Sequence, residues 1–88
     1  MIKGTTASGF AYEVSEDALN DYEILESLAE LEENPLVFTT VAKRLLGAEQ
    51  LKRLKDHTRN EKGIAPIDKM TAEVTEILTK SGESLKNS

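Results

Sequence analysis

With 88 residues, 39% hydrophobic and 31% charged, the chain has enough length for one small packed core and too little for a second, and its composition excludes the disordered and fibrous classes. A net charge of −5 argues against a general nucleic-acid binder, whose phosphate contacts need a basic surface, and the absence of cysteine excludes disulfides and thiolate metal sites. No run of about 18 apolar residues is present to span a bilayer, and Met1 to Thr6 lacks the apolar stretch of a secretory signal, so the expected location is a cytoplasm.

The first fourteen residues read as a β-hairpin: a strand at 2–6, a turn at Ala7-Ser8-Gly9, and a second strand at 10–14. Phe10, Tyr12 and Val14 alternate, which puts them on one face, and that face must pack on something because an isolated hairpin is marginal in water.

From Ser15 the hydrophobic period changes to three and four. Leu19, Tyr22, Leu25 and Leu28 mark a first helix near 17–32, although the capping-box spacing of Asn20 and Glu23 would also allow a start there, with 15–19 as a preceding turn. Asn34-Pro35 then predicts a cap with proline at the first helical position, opening a second helix over 35–46 that Gly47 terminates. Val37, Phe38, Val41, Ala42, Leu45 and Leu46 give this helix a wide apolar stripe. A third helix at 48–60 carries Leu51 and Leu54 among Lys52, Arg53, Lys55 and Arg59 and reads as a surface helix. After a loop at 60–63, Ile67, Met70, Val74, Ile77 and Leu78 predict a fourth helix over 66–80, with Gly82 ending it. The expected fold is α+β and mainly helical, an N-terminal β-hairpin packed on a bundle of about four helices. Residues 1–82 would form a single domain, and 83–88 a flexible C-terminal tail.

Charge is unevenly spread. Nine acidic residues and no Lys or Arg lie between Glu13 and Glu33, whereas seven basic residues accompany three acidic ones between Lys43 and Lys62. Such runs are usually solvated helix faces, but they could also pair head to tail between copies as a weak homo-oligomer, or with a partner of complementary charge.

The chain offers little for catalysis, which needs a nucleophile with a base, two carboxylates in different environments, or a metal cage. The lone His57 sits among Lys55 and Arg59, neighbours that repel a cation; Glu26 and Glu30 are spaced as on a solvated acidic face; and the calcium-loop pattern is missing. No enzyme activity, cofactor or metal is expected. A helix-turn-helix across residues 38–54 is the alternative worth weighing, as a small DNA-binding or transcription-regulating protein. Against it, Ala42 precedes the turn glycine by five positions instead of the usual four, and the would-be recognition helix opens with Glu49.

The order of elements resembles a family. A glycine-containing hairpin ending in Phe10-Ala11-Tyr12-Glu13-Val14, an acidic helix Asp21-Tyr22-Glu23-Ile24-Leu25-Glu26-Ser27-Leu28, an Asn34-Pro35-Leu36 cap, Leu45-Leu46-Gly47 and a last helix around Met70 to Ile77 are together similar to the small tail assembly chaperones of long-tailed bacteriophages. The resemblance implies a protein of the bacterial host cytoplasm, absent from the mature virion. Such a protein binds the tape measure protein, keeps it soluble and helps recruit tail tube protein during tail morphogenesis. It transfers no residue-level site. On physical grounds a holder of a helical partner needs an exposed apolar strip ringed by charge. The expected strip is Leu36, Val37, Phe38 and Val41, with Glu23, Glu26 and Glu30 as an acidic rim; the competing reading makes all four apolar residues core.

Overall fold

The structure, a computed structural model, describes residues 1–30 and 33–86. Strands β1 (Ile2–Thr5) and β2 (Ala11–Val14) pair antiparallel in the register Ile2 with Val14, Lys3 with Glu13, Gly4 with Tyr12 and Thr5 with Ala11. Each strand is one residue shorter than expected, because Thr6 and Phe10 close the turn: the Thr6 N–H donates to the Phe10 carbonyl at 2.9 Å and the Gly9 N–H to the Thr6 carbonyl at 2.9 Å. The alternation holds, with Phe10, Tyr12 and Val14 all buried. Gly4 is required by its cross-strand partner, since a Cβ there would lie 2.6 Å from Cζ of the Tyr12 ring that covers it.

The expected first helix is two. Ser15 caps α1 (Glu16–Leu19), its Oγ accepting from the Ala18 N–H at 3.0 Å, and α1 stops at Asn20. The next helix, α2 (Tyr22–Glu30), opens with the Asp21 carboxylate accepting from the Glu23 N–H at 2.9 Å. Asp21 thus does the capping expected of Asn20. Residues 31 and 32, at the end of the expected first helix, lie outside the described residues.

Helix α3 (Val37–Thr58) contains both the second and third expected helices, bent at Gly47, whose φ of 80° and ψ of 162° break the helical path between them. It starts two residues later than expected. Asn34 does cap the segment, its Oδ1 accepting from the Leu36 N–H at 3.3 Å, but Pro35 and Leu36 stay in a tight turn whose bonds run from Val37, Phe38 and Thr39 back to the carbonyls three residues earlier. Helix α4 (Ile67–Lys86) begins just after Pro66, whose carbonyl accepts from the Met70 N–H.

One expectation about the C-terminus is corrected. Gly82 does not end α4, which runs on through 83–86; 87 and 88 lie outside the described residues. Termination by glycine needs the left-handed conformation, which Gly9, Gly47 and Gly63 adopt and Gly82 does not. Ser81, fully buried beside it, keeps this part of the helix packed.

The core joins both layers: Phe10, Tyr12 and Val14 from the hairpin, Ala42, Leu45, Leu46 and Leu54 from α3, and Val74 and Ile77 from α4. The fold is therefore the expected one, a two-stranded hairpin packed on a mainly helical body. Among the described residues no helix is long and apolar enough to cross a membrane.

The tip of the hairpin is tied to α4 by polar bonds. Thr6 and Ser8 both donate to Glu73 Oε1 at 2.8 Å, the Ala7 N–H donates to Glu76 Oε2 at 2.8 Å, and Lys80 Nζ bonds both Glu76 at 2.9 Å and the Thr5 carbonyl at 3.1 Å. The hydrogen bond from Lys80, helped by the Ala7 N–H, holds the Glu76 carboxyl below the ordinary glutamate value of 4.5, and the same bond holds Lys80 above its ordinary 10.5. A depressed carboxyl contributes stability above 4.5 that is lost as pH falls through its lower folded value. A raised ammonium contributes below 10.5 and loses that contribution as pH rises through its higher folded value. The tie should therefore hold undiminished between those limits. In an NMR titration the Ala7 amide shift should move with a midpoint below 4.5 and lose that transition in Glu76→Gln; a midpoint at or above 4.5 would contradict the assignment.

Candidate partner-binding groove

An apolar groove of about 320 Å³ opens where the two halves of α3 meet the start of α4. Phe38 and Ala42 come from before the bend, Leu51 and Lys55 from after it, and Met70 and Val74 from α4, with Ala65 and Ile67 at the mouth. Ala42 and Val74 are buried and form the floor, while Phe38, Leu51 and Met70 are half-buried walls. Ile67 is 85% exposed at the rim, Ile64 stands exposed in the loop leading to it, and Leu36, 77% exposed, lies one turn before the lining residue Thr39. Apolar walls with a large aliphatic side chain standing in solvent beside them offer a surface on which an apolar partner side chain can pack.

The residues anticipated for the strip divide. Phe38 lines the groove, Leu36 is exposed near its end, and Val37 is half-buried. Val41 has 0% exposure and belongs to the core, so it is corrected from a partner contact to a packing residue. A helix presents its 37/41/45 row and its 38/42 row to different neighbours, and only the second row faces the opening. Glu23, Glu26 and Glu30 are exposed on α2 but line none of the groove, so they form no rim around it. Glu23 pairs instead with Arg44, which also holds Asp21 at 3.2 Å. The charge in the groove wall is that of Lys55.

Leu51, Ile67, Met70 and Val74 also line the groove, although the sequence shows them only as members of helical apolar stripes. The sequence signal nearest to the groove is the apolar run Ile64-Ala65-Pro66-Ile67 before the last helix.

Of the basic residues in the second half of α3, which a DNA-binding reading would need, two are engaged within the chain. The Arg53 guanidinium lies 5.4 Å from the centroid of the Phe10 ring, and Arg59 bonds Asp56 at 2.9 Å and the Gly63 carbonyl at 2.9 Å. The Arg59 bond holds the Asp56 carboxyl below its usual value. Lys52 and Lys55 remain exposed.

His57 acquires neighbours that the linear sequence concealed. Its Nε2 is 3.1 Å from Ser8 Oγ, and the single Ser8 hydroxyl hydrogen is directed at the buried Glu73 carboxylate, so His57 supplies the proton in its bond to Ser8. In an activated nucleophile the imidazole would accept that proton and a third group would orient its other nitrogen. Here the hydroxyl points at the acid directly, the arrangement of a structural tie between hairpin tip, α3 and α4. Among the described residues no three His, Cys, Asp or Glu side chains converge as metal ligands. Comparison of the chain with protein-family models, with curated proteins and with solved structures finds no match.

Proposed function

We propose that this protein is a tail assembly chaperone of a long-tailed bacteriophage, acting in the host cytoplasm, that holds an apolar-faced helix of the tape measure protein in the α3–α4 groove and helps recruit tail tube protein. The observation that carries the reading is the groove itself, lined mostly by apolar side chains and continued onto solvent by Ile67. Helix-in-groove recognition needs a few apolar anchors at one helical face fitting such a trough, with charge around it to set orientation. Its volume of about 320 Å³ lies near the lower end for ligand sites, and a holder that must let go as the tail is completed needs only modest affinity. The resemblance noted in the sequence supplies the identity of the partner.

The test is co-expression with the tape measure protein encoded nearest to this gene, scoring how much of that protein stays soluble and co-purifies. Wild type should raise the soluble fraction severalfold, and Ile67→Glu should abolish the gain while leaving the far-ultraviolet circular dichroism of the chaperone unchanged, because Ile67 is too exposed to support the fold. A tape measure protein that is insoluble with and without wild type, or equally rescued by Ile67→Glu, would sink this reading.

A further inference from the structure

The outer face of α2 is the complement of the groove. Ile24 is buried, with Ser27 and Leu28 half-buried beside it on the side of the helix turned to the body, which leaves Tyr22 (70% exposed), Leu25 (60% exposed) and Ala29 as an apolar row on the opposite side. Glu26 and Glu30 run along one edge of that row, and among the described residues neither has an ion-pair partner. The groove presents the opposite signs and shapes: an apolar trough with Lys55 in its wall, exposed Lys43 one turn from Thr39, and exposed Lys52 one turn before Lys55. A trough of about 320 Å³ accommodates one or two large side chains, which is what Tyr22 and Leu25 supply. The row points away from the chain's own body, so it cannot reach its own groove.

We propose that in the free protein the Tyr22–Leu25–Ala29 face of α2 of one copy docks in the α3–α4 groove of a second copy, so that self-assembly caps the partner-binding site until a client helix displaces it. The proposal rests on the groove being a helix-binding site. The contact is heterologous, two different surfaces on each copy, so it propagates head to tail or closes into a ring instead of stopping at a symmetric dimer. One nine-residue helix is a small interface, which makes the assembly weak and concentration-dependent. Its edge charges make it salt-sensitive. Capping lowers the fraction of open grooves and so weakens apparent client affinity by that fraction.

Sedimentation equilibrium of the purified chain across the micromolar to millimolar range tests this. Wild type should rise from the 9.7 kDa monomer to species of several chains, less so in high salt. Leu25→Lys and Ile67→Glu, both at exposed positions, should each weaken assembly at least tenfold alone. Mixed in equal amounts they should form a species of two chains and nothing larger, because one contributes an intact groove and the other an intact α2 face. A wild type that stays monomeric, single variants that still assemble, or a mixture that does not pair would overturn the proposal. Client binding separates it from the functional reading: Leu25→Lys should hold tape measure protein more tightly than wild type, whereas Ile67→Glu should not hold it. A monomeric wild type that still solubilises the client overturns the capping alone, and head-to-tail assembly without any client effect upholds the docking while removing the function.

Discussion

Leu54→Ala should lower the unfolding free energy by about 3 kcal/mol, within the roughly 2–5 kcal/mol range for truncating a fully buried leucine. Leu54 has no exposed surface and lies in the cluster where hairpin, α3 and α4 meet, so its removed methyl groups leave a cavity that rigid elements on three sides cannot collapse to fill. For a chain of this length, whose total stability is on the order of 4–13 kcal/mol, that is a large share, and the melting temperature should fall by roughly 15 °C. Leu51→Ala, one turn earlier, is the control. Leu51 is half-buried in the groove wall, so its truncation should cost less than half as much in urea or thermal unfolding while impairing client and self-association. Equal losses for the two would mean that Leu51 is core and that the groove is not open in solution.

That contrast marks what periodicity could and could not reveal. Alternation identified Phe10, Tyr12 and Val14 as one buried face because a hairpin's register follows from adjacent residues. Gly47 was legible as a break because no other residue there lets the chain leave a helix cheaply. Where the break led was not legible. Helical spacing says which residues share a face but not whether that face meets the hairpin, the next helix or water, and so it leaves open whether Val41 and Phe38, three positions apart, are strip or core, when one is core and the other lines the groove. Glu73, Ser8 and His57 are separated by 16 to 65 positions, and a hydrogen-bonded cluster assembled over such spans leaves no local signal. At Gly82 residue identity misled, because glycine permits a helix to end without requiring it, and the buried Ser81 shows that α4 has something to pack against there.

Gly47→Ala should destabilise the protein by about 1–3 kcal/mol, through the backbone alone. A Cβ at position 47 would meet nothing within 4 Å, so there is no collision to relieve; the cost is a φ of 80° with a ψ of 162°, a combination essentially confined to glycine. The alternative for alanine is to straighten α3, and geometry makes that costly too. Ala42 and Leu51 are nine residues apart, which at about 100° per residue places them roughly 180° apart on a continuous helix, facing opposite ways. Only the bend brings them into the same groove and lets Leu45, Leu46 and Leu54 reach the same core. The variant should therefore lose stability and client binding together. A chain chemically synthesised with D-alanine at position 47 distinguishes the causes, since that residue favours positive φ: it should recover wild-type stability and restore the groove. If L-alanine were tolerated as well as D-alanine, the bend at Gly47 would not be the feature that builds the site.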